Sequence, residues 1–310
     1  MRTDIVPPML PSAEDFPKLR REDAPWRVAV REIAARHDLD EPWVRAAAGS
    51  AVVFLGSEHV IKLLPPRGAA DVAIEAASLR AFAGQLPVAT PQLLGHAVLD
   101  GWPYLITTRL HGTELRVDWD SLPDEHRLSL VRETAELLDA MHRVPLPSFS
   151  FPDAWRLLER PVEQIVSKHE RDGVDHSWTD AIAAVLSRHT SPETGSEPTA
   201  LVHGDVQPDH LLLDPEGHLC GLFDFGDVMA GPAVYDLAAT ACLMAAHVPG
   251  GAATLFEAYG ACLDDGMRER LTVALLKQRY CALPFVVRTF PGHRRPGSLE
   301  ELLGLVHGDQ

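Results

Sequence analysis

Three side chains stand where their types could do chemistry: Asp205 in LVHGDVQPDHLLLD, Asp224 in GLFDFGD and Lys62 in HVIKLL. Moving a phosphoryl group asks little covalent work of a protein. It needs positioning, neutralised phosphate charge and a carboxylate near the attacking hydroxyl. Asp205 lies between two apolar runs that would hold it rigidly, so its carboxylate could accept a proton from a hydroxyl. From HGD by itself, a turn aspartate capping backbone amides reads better. Asp224 closes another short apolar run, and LLLDPEGHLCGLFDFGD has the form of a hairpin with PEGH as its turn. Such a hairpin would bring both carboxylates to one end of a strand pair, one for a metal ion and one for the acceptor. Asp227 is a third carboxylate within reach, either a second ligand or a turn residue. Lys62, inside an apolar strand, either faces solvent from a sheet edge or points into a cleft toward phosphate oxygens. Glu75, in the otherwise apolar AIEAASL, could pair with it.

These residues need elements to hold them. WRVAVREIAARHDL places Val28, Val30, Ile33 and Ala34 near helical spacing. AVVFLG and HVIKLL read as two strands joined by a GSE turn. AADVAIEAASLRAFAGQL reads as a helix ended by Gly84 and Pro87, and WPYLITTRLHGTEL as a further strand and a turn. Gly49 and Ser50, ahead of the first strand, form a turn that could lie over phosphates. The chain has neither G-x-G-x-x-G nor a Walker sequence, and an ordinary hairpin turn explains the pair equally well. From about residue 124 the texture turns helical. EHRLSLVRETAELLDAMHRVP puts Leu128, Val131, Ala135 and Leu138 on one face. WTDAIAAVLSRH, AVYDLAATACLMAAHV, ATLFEAYGACL and MRERLTVALLKQRYCALPFVV follow as helices, with the polar loop SPETGSEPT before the Asp205 segment. The order is a proline-rich arm over residues 1–25, a small strand-rich part over 26–108 and a larger helical part over 109–310.

The 310 residues and 46 % hydrophobic content suit a globular protein of two lobes. No apolar run reaches the length of a membrane span, and the start lacks the apolar core of a secretory signal. Cys220, Cys242, Cys262 and Cys281 show no metal-binding spacing and read as buried free thiols of a cytoplasmic protein. With 28 Lys and Arg against 44 Asp and Glu, the formal charge is −16. Such a surface repels nucleic acid and anionic membranes and attracts cationic small molecules. Acidity that only aids solubility accounts for the charge by itself.

Strand lysine, helix glutamate, HGD and DFGD occur in the order and at the gaps seen in kinases. Over about residues 45–290 the chain resembles the aminoglycoside phosphotransferases, small-molecule kinases with a protein-kinase-like fold. The resemblance rests on VIKLL, IEAASLRAF, ELLDAMHRVPLP, LVHGDVQPDHLLLD and GLFDFGDVMAGPAVYDLA. WPYLITTRLHGT, MHRVPL and FDFGDVMAG look most like the hygromycin B phosphotransferases. The resemblance implies an α+β, bilobal protein-kinase-like fold, with a small antiparallel-sheet lobe and a larger helical lobe. It implies ATP or GTP with Mg²⁺, and direct in-line transfer to a small molecule's hydroxyl, an aminoglycoside such as hygromycin B, giving antibiotic resistance. Asp205 would be the catalytic carboxylate, Asp224 the metal ligand, and Lys62, oriented by Glu75, the contact to the inner phosphates. Thr107, Thr108, Arg109 and Leu110 would be the hinge whose backbone pairs with the purine. Asp236 would hold the catalytic loop's backbone, and His203 would be a packed loop residue.

One position departs from the family. His210 stands five residues after Asp205, where the family has a metal-binding asparagine. Mg²⁺ prefers oxygen donors, and imidazole suits Zn²⁺ or Mn²⁺ better. His210 therefore ligates the metal directly or through water, substitutes as a hydrogen-bonding group, or marks a nucleotide-binding pseudokinase. The expected partner is a cationic or polyhydroxylated small molecule, with Glu159, Glu163, Asp172, Asp175 and Asp180 as acidic contacts, each equally readable as an exposed helix or loop charge. The expected state is a monomer or small homo-oligomer. A metabolic kinase acting on a sugar, amino alcohol or macrolide is the alternative of the same fold.

Overall fold

A computed structural model of the chain describes residues 18, 20, 23–46, 49–188, 197–279 and 281–309. The arm expected over residues 1–25 lies almost wholly outside the described residues, as does most of SPETGSEPT. The chain divides into two compact units, each described separately below. The first comprises residues 1–84, 89–111 and 224–226, the second residues 85–88, 112–223 and 227–310.

The first unit is built on one antiparallel sheet. Helix α1 (Ala24–Arg36) buries Trp26, Ala29, Val30, Ile33 and Ala34, the i, i+3, i+4, i+7 spacing of a single helical face. Strands β1 (Val44–Arg45), β2 (Val52–Leu55) and β3 (His59–Leu63) follow, then helix α2 (Ala69–Phe82), β4 (Leu93–Leu99) and β5 (Trp102–Thr108). Their order in the sheet is β1-β2-β3-β5-β4, which makes β3 the middle strand. Phe54 pairs with Ile61 and Ile61 with Ile106, so one face of β2, β3 and β5 meets α1, with Trp26 edge-on to Trp102 at 4.9 Å. The other face carries Val53, Lys62 and Leu105 in register, and Lys62 there reaches Glu75 of α2.

The second unit is mostly helical. Short β6 (Thr113–Glu114) and α3 (Leu115–Asp118) lead to the long α4 (Asp124–His142). Val131, Ala135 and Leu138 of α4 are buried, while Leu128 is only half-buried at the margin of that face. Helices α5 (Trp155–Leu158), α6 (Val162–Arg171) and α7 (His176–Arg188) precede β7 (Thr199–Val202). Strands β8 (Leu211–Leu213) and β9 (Leu219–Leu222) form the expected hairpin, Leu211 opposite Leu222, with residues 214–218 turning between them. β10 (Met229–Pro232) pairs with β7. Helix α8 (Val234–Leu243) is buried from Val234 to Cys242, the signature of a helix enclosed on all sides. Helices α9 (Gly251–Tyr259), α10 (Asp265–Lys277), α11 (Leu283–Thr289) and α12 (Leu299–His307) complete the unit.

Two expectations are corrected. MRERLTVALLKQRYCALPFVV is not one helix: α10 stops at Lys277 and α11 starts at Leu283. Pro284 falls in the first turn of α11, where its missing N–H costs nothing, whereas in a continuous helix it would break the ladder. Only Cys242 and Cys281 are buried thiols; Cys220 is half-buried and Cys262 exposed. Burial raises the pKa of Cys242, and that of Cys281 to about 12, so neither is a ready nucleophile. Among the described residues, no helix is long and apolar enough to cross a membrane.

Candidate active site

In the first unit, Lys62 Nζ lies 2.8 Å from Glu75 Oε2 and 2.8 Å from Asp224 Oδ1. The edge-strand alternative for Lys62 is excluded, because β3 has β2 on one side and β5 on the other. The Lys62 side chain is 14 % exposed and Glu75 7 %, so the ammonium and its carboxylate are largely withdrawn from water. Burial opposes the charge on Lys62, but Glu75 and Asp224 more than offset it, and its pKa is held above the ordinary lysine range. Asp224 itself is half-exposed and sits at φ +66°, a left-handed conformation that aspartate tolerates better than most residues. The next residue anchors it: Phe225 is fully buried with its ring 5.4 Å from Phe82 of α2. A Cβ on Gly226 would stand 3.4 Å from Glu75 Oε2 and 3.6 Å from Lys62 Nζ, so a longer side chain there would lie across the ion triple.

The second unit holds the other half of the motif. The segment from His203 to His210 links β7 to β8, and side chains of its surroundings satisfy its backbone. Asp236 of α8, fully buried, accepts the His203 N–H at 2.8 Å and the Gly204 N–H at 2.7 Å. One turn further along α8, Thr240 donates to the Val206 carbonyl at 3.1 Å. Gln278 donates to the Gly204 carbonyl at 3.4 Å. Gly204 has φ +82°, which strains any side chain, and a Cβ there would also crowd the Asp227 carbonyl at 3.2 Å, so glycine suits the position. Asp205 is half-buried and its Oδ1 accepts from Gln207 Nε2 at 2.8 Å. His203 is fully buried.

His210 turns its ring back onto its own loop: Nδ1 donates to the Asp205 carbonyl at 2.8 Å and lies 3.5 Å from Asp205 Oδ2. Its own carbonyl accepts from the Phe223 N–H, which ties the loop to the residue preceding Asp224. Asp209 is engaged with Arg116 at 3.0 Å. Asp227 is half-buried in the short 3₁₀ turn Phe225–Asp227.

The remaining expected site residues fall as follows. Gly49 and Ser50 are exposed between β1 and β2, and residues 47 and 48 beside them lie outside the described residues. Thr107 and Thr108 end β5; the Thr108 N–H is bound to the Gln92 carbonyl and the Arg109 N–H to that of Glu58. The Arg109 guanidinium donates to the Gly56 carbonyl at 2.5 Å, and the chain leaves the first unit just after Leu110 and His111. The five acidic candidates are spread along the α5–α7 stretch of sequence before β7. Glu159 caps α5, Glu163 is in the first turn of α6, and Asp175 and Asp180 are exposed before and on α7. Asp172 pairs with Lys168 at 2.9 Å. The groove along α6 is lined by Arg160, Lys168 and Arg171 with a single carboxylate, Glu163. Among the described residues, no group of three or more His, Cys, Asp and Glu side chains forms a self-contained metal site. Gln207, Thr240 and Gln278 were not picked out from the sequence. Gln207 alone had a signal, its place two residues after Asp205.

One unit with a central-strand lysine tied to a helix glutamate and to the aspartate of DFGD, and another with a loop whose backbone is clamped around HGD, define a phosphotransferase of kinase-like fold. The sequence pattern of the phosphotransferase enzyme family matches residues 44–272, and the chain belongs to that family, as an O-phosphotransferase. It is 28 % identical over 185 residues to an aminoglycoside 3'-phosphotransferase of Streptomyces ribosidificus, covering 56 % of this chain and 68 % of that protein. An aminoglycoside 3'-phosphotransferase of Streptomyces fradiae is 30 % identical over 146 residues, 45 % of this chain and about half, 52 %, of the relative. Among solved structures, the GDP complex of wild-type aminoglycoside 2'-phosphotransferase-IIIa superposes with a TM-score of 0.65 at 17 % identity, covering 91 % of this chain and 98 % of the other. The GDP and kanamycin complex of APH(2")-IIia gives 0.66 at 18 % identity over 80 % and 87 %. At such identities the likeness speaks for the fold, which is α+β and protein-kinase-like.

Proposed function

We propose that the protein transfers the γ-phosphoryl group of ATP or GTP to a hydroxyl of an aminoglycoside. The observation that carries this reading is the Lys62 amine held at 2.8 Å from both Glu75 and Asp224. Lys62, oriented by Glu75, neutralises charge on the inner phosphates. Asp224 is a hard oxygen donor on a fixed backbone and fits Mg²⁺, which when bound neutralises the phosphates; the rest of its shell would come from phosphate and water oxygens. Asp205, its carboxylate steadied by Gln207, takes the proton of the acceptor hydroxyl as that oxygen bonds to phosphorus and the bond to the leaving nucleoside diphosphate breaks. Of the three readings of His210, the hydrogen-bonding substitute is best supported. Its Nδ1–H braces the Asp205 carbonyl and so fixes the loop, a role that asks no metal bond of imidazole.

The acceptor class is inferred from the two relatives' names and from the acidic chain. Hygromycin B leads the panel because of WPYLITTRLHGT, MHRVPL and FDFGDVMAG, with kanamycin and streptomycin beside it. Purified protein with ATP or GTP and Mg²⁺ is expected to release nucleoside diphosphate only when its acceptor is added. Asp205→Ala is expected to lose about 10²–10⁴-fold in turnover while nucleotide still binds. Wild-type-like turnover in that variant refutes the assignment. Release with sugars, amino alcohols or macrolides alone moves the protein to metabolic chemistry of the same fold.

A further inference from the structure

Behind the Asp205 loop lies a buried polar chain that the reaction itself does not call for. Asp236 Oδ2, which accepts the His203 N–H, also lies 3.0 Å from Nε2 of His142, the last residue of α4. The other ring nitrogen of His142 lies 2.9 Å from the hydroxyl of Tyr259, the last residue of α9. The two rings meet nearly edge-on, 5.7 Å apart at 71°. The His142 side chain is 5 % exposed and Asp236 is fully buried. A carboxylate can only accept, so the proton on the Asp236 side belongs to His142 Nε2. Burial first, then the Asp139 and Asp236 carboxylates, push the pKa of Tyr259 up to about 12, so its hydroxyl keeps its proton. The other nitrogen, Nδ1, faces the Tyr259 hydroxyl, so one ring spans both partners and the chain runs from Tyr259 through His142 to Asp236.

We propose that His142 and Tyr259 are positioning residues that hold the Asp236 carboxylate at the angle from which it clamps His203 and Gly204, and thereby set the placement of Asp205. Asp236 takes three N–H donors: His203 and Gly204 from the loop, and His142 from outside it. Without the third, the carboxylate is free to rotate about its own side-chain bonds, and the two loop amides follow it. Through its hydroxyl Tyr259 locks the His142 ring, because only one ring orientation serves both partners. The junction joins the C-terminal ends of α4 and α9 to the N-terminal turn of α8, so helix packing in this unit is read out at the loop.

The proposal rests on Asp205 being the catalytic carboxylate, and the test separates the two ideas. Tyr259→Phe, His142→Phe, His142→Gln and Asp205→Asn are made in the full chain. Turnover, KM for nucleotide and acceptor, and backbone amide exchange at His203 and Gly204 are measured on each. Tyr259→Phe is expected to lower kcat about 3–10-fold and His142→Phe about 10–100-fold, as befits neutral and charge-assisted bonds respectively. Nucleotide KM stays within about twofold, and His203 and Gly204 exchange faster. In His142→Gln the side-chain amide can stand where Nε2 stood, and most of kcat should return. Unchanged exchange at both amides in Tyr259→Phe and His142→Phe alike, or no recovery with glutamine relative to phenylalanine, overturns the positioning role. The exchange measurement does not depend on turnover. If Asp205→Asn keeps full activity, the catalytic reading fails while the exchange data still decide the role of the pair.

Discussion

Lys62 occupies a position from which its charge cannot be removed without stranding another. Glu75 is withdrawn from water and meets the amine at 2.8 Å, so Lys62→Met leaves a buried carboxylate without its cation. That change is expected to destabilise the protein by about 3–5 kcal/mol, seen as a lower urea midpoint at unchanged slope. Adding Glu75→Gln should recover part of the loss, with a coupling of about 1 kcal/mol or more in the double-mutant cycle. Additive losses would mean that the pair is not energetically linked. Of the two partners of Lys62, Glu75 was legible from residue type and order, whereas Asp224, 162 positions away, was expected only as a metal ligand. That Lys62 stands in mid-sheet was not legible, because it depends on β5 pairing along the far side of β3. His210 shows the opposite limit. Its type raised the question of a metal, but only coordinates reveal that the ring faces its own loop carbonyl.

At the scale of elements, helices with one buried face declared themselves by spacing, as α1 and α4 do. The strands that escaped notice carry weak signals. β1 has two residues, and β4 is an edge strand with a register shift between Leu93 and Gly95 and with Leu94 and Val98 exposed, so it shows no apolar alternation. The turn between α8 and α9 carries a pH dependence of its own. His247 in the 3₁₀ turn Ala245–His247 is buried with its ring 4.2 Å from Phe290. Burial, then Arg127 and Arg294, depress its pKa to about 4. A histidine that is neutral when folded but takes up a proton when unfolded stabilises the fold fully above its unfolded pKa of about 6.5, and loses that contribution as pH falls through about 4. The size of the effect is roughly 3 kcal/mol. In His247→Leu the fall in urea midpoint between these two pH values should be visibly shallower than in the wild type. Parallel curves would show that His247 is not the titrating group.

For the molecule as a whole, the formal charge of −16 sets a long-range field. A polycationic acceptor should be drawn in by it, and salt should weaken the attraction. KM for such an acceptor is expected to rise several-fold as KCl goes from about 0.05 to about 0.5 M, with nucleotide KM moving much less. An acceptor KM indifferent to salt would leave the acidity as a solubility device. Charge is not spread evenly along the surface: the groove along α6 gathers Arg160, Lys168 and Arg171 around Glu163, with Asp172 pairing Lys168. Composition gives the overall sign and cannot give that local placement. One feature of the chain's path bears on engineering. Asp224–Gly226 belong to the first unit, although the sequence on both sides belongs to the second. A chimera joined at a single crossover near Gly112 would therefore inherit an amine from one parent and half of its counter-charge from the other. Exchanging these units as modules between homologues requires a remote three-residue graft carried along with the main splice.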